Sequence, residues 1–161
     1  MGAVMVSEKI TALFDSAKGR GSGLNHVISF GGHAASAAAA LKNIEIMETE
    51  GMVENSAAMG QYLLDGLEEL KKHPIVGDIR GKGLLTAVEL VQDKKTRAMF
   101  PPEAQMMAKV TRRLRENGVL ARTYQVVEFG PPLCAGKSEI EKIVEATEES
   151  IIWFSKEVGI Q

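Results

Sequence analysis

Two arginines set inside strand-like runs, a glycine pair ahead of a helix, three histidines and a single cysteine are the residues of this 161-residue chain whose types could support chemistry. Arg80 interrupts Val76-Gly77-Asp78-Ile79-Arg80-Gly81-Lys82-Gly83, and Arg122 ends Gly118-Val119-Leu120-Ala121-Arg122. A planar guanidinium suits a carboxylate, which it can grip with two parallel hydrogen bonds. The plainer alternative for each is an exposed edge charge or a structural ion pair with Asp78, Glu89 or Glu128.

The stretch Asn25-His26-Val27-Ile28-Ser29-Phe30-Gly31-Gly32-His33-Ala34 runs directly into an alanine-rich segment ending near Glu48. Glycines let a ligand approach the main chain, and alanine is the strongest helix former, so the pattern is a loop feeding a helix start. Unpaired N–H groups and the helix dipole make such a start a natural place for an anion, often a phosphate. A flexible loop before an ordinary helix is the competing reading.

Other chemistry is poorly supplied. His26, His33 and His73 have no paired ligand spacing and Cys134 stands alone, so a metal site is not expected. No motif places a base beside Cys134, which is expected to be a small core residue. Gly136-Lys137-Ser138 resembles the end of a phosphate loop, but five residues separate Gly130 from Gly136 and two of them are prolines without an N–H.

The elements that must position these residues follow from periodicity. With 45% hydrophobic and 25% charged residues the chain is expected to be globular, with one domain or one plus a fragment. A net charge of −2 with both signs interspersed gives no case for nucleic acid, and no apolar run is long enough for a membrane helix. A cytoplasmic location is expected. Met1 to Val6 reads as an apolar strand in want of a neighbour, followed by a short helix capped at Ser7 with Ile10, Leu13 and Phe14 on one face. Gly51 should stop the alanine-rich helix, and a second helix should run from about Glu54 to Lys72. One or two strands are expected over Val76 to Val91, then a helix opened by Pro101-Pro102 and closed by Asn117-Gly118. Short strands over Val119 to Arg122 and Val126 to Phe129 precede a last helix with a capping box at Ser138 and Glu141. The order fits an α+β fold, a small sheet with helices on one face.

The succession resembles the C-terminal portion of the class III, or omega, aminotransferases that use pyridoxal phosphate. Asn25-His26 through His33 is similar to the family's Asn-His-Gly-x-Thr-Tyr-Ser-Gly-His-Pro loop, with Phe30, Gly31 and Ala34 in place of its tyrosine, serine and proline. Arg80-Gly81-Lys82-Gly83-Leu84 with Glu89 is similar to its Arg-Gly-x-Gly-Leu element, and Arg122 with Pro131-Pro132-Leu133 to its ending. The resemblance implies a remnant of a fold-type-I large domain over 1–48, comprising one strand, a short helix and a long connecting helix. It implies a small C-terminal domain over 49–161 with a short, mainly antiparallel sheet. It places Ser29, with Ile28, at the cofactor phosphate of a neighbouring subunit, and Arg122 at the substrate carboxylate. No catalytic residue is expected in the chain, because the family's Schiff-base lysine would lie before residue 1. The implied activity is amino transfer from an amine or ω-amino acid to a 2-oxo acid such as pyruvate. The chain alone is expected to be inactive, not to hold the cofactor, and to pair as a homodimer or with the upstream half of the enzyme; a non-catalytic folding or dimerisation module is the alternative.

Overall fold

The computed structural model describes residues 2–15, 29–124 and 126–160, so Ile28 lies outside the described residues. The chain divides into two compact units, Met1–Glu50 and Gly51–Gln161.

In the first unit, α1 spans Glu8–Asp15 and α2 spans Ala34–Thr49. The strand expected over residues 1–6 is not formed: residues 2–7 have no regular structure and are exposed. A strand exists only when a partner satisfies its N–H and C=O groups, and among the described residues none pairs with this run. Ser7 does begin α1, but through its carbonyl, which accepts from the N–H groups of Ile10 and Thr11 at 3.0 Å each. At the start of α2 the cap is His33, whose Nδ1 accepts from the Ser36 N–H at 3.2 Å. No residue of α2 is buried. It is a helix by alanine propensity and backbone bonding rather than by packing.

The second unit is built differently. Gly51, at φ 60°, starts it in the left-handed region, and α3 then covers Met52–Glu68, tightening into a short 3₁₀ turn over Glu69–Lys72. Strands β1 (Val76–Lys82) and β2 (Leu85–Leu90) make an antiparallel hairpin, α4 covers Met106–Glu116, β3 is Arg122–Thr123, β4 is Val127–Phe129 and α5 is Lys137–Glu157. The sheet is antiparallel throughout, in the order β1-β2-β4-β3. Its buried face presents Val76, Ile79, Val88, Leu90, Val127 and Phe129 to Leu63 and Leu67 of α3 and to Ile140, Ile151 and Phe154 of α5. Each such side chain taken out of water contributes about 1.5–3 kcal/mol. This is an α+β fold with helices on one face of a four-stranded sheet.

Two close approaches hold α3, one to the hairpin and one to the proline loop. A Cβ on Gly60 of α3 would lie 2.1 Å from the Gly83 carbonyl carbon, so only glycine admits the hairpin turn there. The Asn55 amide donates to the carbonyls of Leu133 and Ala135 at 2.6 and 3.0 Å, tying the proline loop to α3. That anchorage turns Ala135 inward and leaves Cys134 exposed, which corrects the expectation of a core cysteine.

Helix ends differ in detail from the sequence reading. α4 begins at Met106 after a 3₁₀ turn over Pro102–Ala104, because Gln105 adopts φ 49° between them. Beyond its end at Glu116 the chain turns at Gly118, φ 80°, and the Val119 N–H reaches back to the Leu114 carbonyl at 2.9 Å. Strand β3 is shorter than expected, since Val119 is drawn into the core and pairing starts only at Arg122. The expected capping box at Ser138 and Glu141 is displaced by two residues: Gly136 is the cap, and its N–H donates to the Glu139 carboxylate at 3.0 Å. Glu141 instead accepts from the Tyr62 hydroxyl at 2.8 Å. No helix among the described residues is long and apolar enough to cross a membrane.

Candidate functional site

The side of the sheet away from the helices carries the charged residues. An isolated glycine inside a strand run is a common mark of a bulge, and Gly77 makes one: the register shifts between Val76 and Asp78. Without that extra residue Val76 and Asp78 would share a face. With it, Val76 pairs with Leu90 on the buried face while Asp78 pairs with Glu89 and Arg80 with Ala87 on the open one. Glycine is required there, because a Cβ would come within 2.8 Å of the Val91 side chain.

On β4, Val127 and Phe129 face the core, so Glu128 faces outward, paired with Ala87 on one side and Arg122 on the other. Arg80, Ala87, Glu128 and Arg122 therefore form one row across the sheet, with an arginine on each edge strand. The two arginines have unequal surroundings. Arg80 Nη1 donates to Glu89 at 2.9 Å and to Asp78 at 3.0 Å, and these bonds, Glu89 first, hold its guanidinium even more firmly charged than usual. Among the described residues Arg122 has Glu128 alone, at 3.6 Å from Nε, and its side chain is 83% exposed. The fork of Arg122 opposite Nε is thus free among the described residues to receive an anion, whereas that of Arg80 is committed.

The other expected contact lies in the first unit. Ser29 opens a turn over 29–32 and is exposed, and Gly32 within it has φ 73° with open space where a side chain would be. The α2 start just beyond does not offer all its N–H groups to a ligand, since His33 already occupies that of Ser36. Likewise the Gly136-Lys137-Ser138 string forms no phosphate loop, its N–H being taken by Glu139.

A small antiparallel sheet backed by helices thus carries on its open face an arginine whose one partner among the described residues is Glu128, at 3.6 Å. The family model for aminotransferase class III matches residues 1–151, and the chain belongs to that family. It is 39% identical over 133 residues to the uncharacterized aminotransferase YhxA of Bacillus subtilis, covering 78% of this chain and 29% of that protein. It is 35% identical over 144 residues to the taurine–pyruvate aminotransferase of Bilophila wadsworthia, covering 83% and 31%. An (S)-enantioselective omega-transaminase from Thermomicrobium roseum superposes with a TM-score of 0.84 at 33% identity, over 92% of this chain and 33% of that one. The chain spans about a third of the length of these relatives.

Among ion-pair partners, the sequence offered Asp78, Glu89 and Glu128 without assigning them; the fold gives the first two to Arg80 and the third to Arg122. Missed altogether was the carboxylate Glu148, which accepts from Lys72 and His73 at 2.7 and 3.1 Å. Those bonds, that of Lys72 first, hold Glu148 below the usual carboxylate range. No local signal could have found it, because its partners are about 75 residues away.

Proposed function

We propose that this chain is the C-terminal part of a class III aminotransferase that moves an amino group from an amine or ω-amino acid to a 2-oxo acid such as pyruvate. Residues 1–48 are the remnant of the cofactor-binding large domain with its connecting helix, and 49–161 are the small domain. The single observation that carries the reading is Arg122, an exposed guanidinium with one partner at 3.6 Å, at the position where the family resemblance puts the carboxylate receiver. Its fork orients the acceptor by two charge-assisted hydrogen bonds.

Pyridoxal phosphate, the family's cofactor, supplies the electron sink that makes a substrate C–H proton labile. The turn over 29–32 fits its phosphate: it offers a hydroxyl on Ser29 and exposed residues at two glycines. Ser29, with Ile28, is assigned to the phosphate held by a partner subunit. The lysine that would take up the cofactor covalently and move the proton has no counterpart among the lysines of this chain, so the chain by itself is inactive. A cytoplasmic location goes with this reading.

The test is to incubate the purified 161-residue chain with pyridoxal phosphate, reduce with borohydride and map adducts by mass spectrometry. Scattered, substoichiometric labelling without amino transfer to pyruvate is expected. One stoichiometric lysine adduct with turnover would overturn the assignment of the missing amine. A second reading, a non-catalytic folding or dimerisation module, draws on the exposure of Val4 and Met5, at 88% and 96%. A monodisperse monomer in sedimentation would remove it.

A further inference from the structure

Lys82 ends β1, is exposed, and belongs to neither ion-pair group of the open sheet face. It lines a cleft of about 650 Å³ between α3 and the turn that joins β1 to β2, well inside the roughly 300–1,000 Å³ of small-molecule sites. We propose that this cleft is a binding site for a small phosphate monoester, with Lys82 and Ser56 holding the phosphate. The site goes beyond the amino-transfer reading and does not depend on it. Lys82 and Arg122 stand on opposite edge strands of the sheet, three strand spacings or about 14 Å apart.

The charge of the cleft carries the argument. Lys82 is the one ionisable side chain that lines it, and no carboxylate does. Neither the Lys82 ammonium nor the Ser56 hydroxyl has a hydrogen-bond or ion-pair partner among the described residues. A cleft walled by neutral groups and carrying one unpaired cation favours an anion. The acidic groups nearby are held elsewhere: Asp65 accepts from Gln61 Nε2 at 2.6 Å, and the Glu54 carboxylate lies toward Gly51 at the start of α3. Gln61, which also lines the cleft, keeps its second amide hydrogen for a ligand. The geometry brings the donors together. The Ser56 hydroxyl oxygen stands 2.9 Å from the point a Cβ on Gly83 would occupy, so it lies directly over the residue that follows Lys82. With Gly60 packed under the Gly83 carbonyl, no side chain intervenes there and a ligand can approach the main chain. Lysine is a compact charge with three donors on a flexible stem, a common partner of phosphate that lacks the planar fork matching a carboxylate. Beyond the donors, Val53, Ala57 and Leu64 on the same stripe of α3 form an apolar wall, with Val53 59% exposed. A bare ion would leave that wall wet, so the ligand that fits carries an apolar body beside its phosphate.

The test follows the 161-residue chain by calorimetry and amide NMR during titration with phenyl phosphate, inorganic phosphate and benzoate at low ionic strength. Phenyl phosphate is expected to bind one to one, tighter than either of the others, with shifted amides confined to residues 53–64 and 81–83. Lys82→Gln should weaken it about fivefold or more and Ser56→Ala about two- to threefold, the range of hydrogen bonds to a charged group in a partly exposed site. Ala57→Leu adds bulk to the exposed wall without touching the cation. It should weaken phenyl phosphate more than inorganic phosphate, and it serves if a polar variant lowers the melting temperature. Binding that Lys82→Gln leaves unchanged, shifts scattered over surface lysines, or the absence of saturable binding overturns the proposal. Benzoate binding as tightly as phenyl phosphate overturns the choice of phosphate. Loss of binding in Arg122→Gln, with Lys82→Gln unaffected, assigns the anion to Arg122 and overturns the cleft while leaving the amino-transfer reading in place.

Discussion

Helices α2, of 16 residues, and α5, of 21, are the longest elements of their respective units, and they are helical for opposite reasons. α2 has alanine at six of its first seven positions, has no buried residue and leaves Leu41 and Ile44 exposed at 69% and 52%. α5 contains Thr147 and several isoleucines, poorer helix formers, yet buries eight residues, among them Ile140 and Phe154 with no exposure at all. Propensity makes a helix without a core; burial makes a fold out of weaker helix formers. The family position of the chain agrees with the contrast, since the sheet, the arginine row and the packed helices all belong to the second unit.

Breaking the packed side should give the largest effect. Phe154→Ala removes a ring that sits edge-on to Phe100 with centroids 5.1 Å apart, and a loss of about 3–5 kcal/mol in urea unfolding is expected. The matching change Leu41→Ala should alter stability by no more than about 0.5 kcal/mol. A large loss from Leu41→Ala would end the contrast. Next in size is Gly60→Ala. In an exposed helix this swap stabilises, but here the added carbon meets the Gly83 backbone, and a loss of about 1–3 kcal/mol, read from the melting curve, is expected.

A smaller effect is expected on the other side of the comparison. Ala38→Gly should cost α2 roughly 1 kcal/mol of local helix stability, visible as reduced far-UV dichroism and faster amide exchange over 34–49, with no change in the main transition. The smallest is electrostatic. Glu148 has its folded pKa lowered by Lys72 and His73 from an ordinary value of 4.5, so its contribution is present above about that pH and is lost as pH falls through the folded value. Glu148→Gln should therefore flatten the acid limb of the stability profile, by at most about 1 kcal/mol, and leave α2 untouched.

How far the sequence could be read follows the same division. Apolar spacing in α3, α4 and α5 predicts their buried stripes, since Leu63, Leu67, Val110, Leu114, Ile140 and Ile151 recur at helical intervals and all are buried. The strand expected at the first residues failed because pairing is not a property of one segment. The cap of α5 moved because Gly136 with Glu139 satisfies the same rule as Ser138 with Glu141, and the Tyr62 hydroxyl claims Glu141 from another helix. At the candidate site, both arginines and all three of their carboxylate partners were legible by type. Which pairs with which was not, because the partners of Arg80 depend on a one-residue bulge at Gly77 and that of Arg122 on the pairing of β3 with β4.

By itself, the sequence determined the order of the helices, the presence of strand over Val76 to Val91 and the kind of group that would meet an anion, because periodicity, residue propensity and side-chain charge are local properties. Only the tertiary structure decided that Arg80 is gripped by two carboxylates and that Arg122 has one more distant partner. That difference arises from strand register, and register is set by the packing of a whole sheet against its helices.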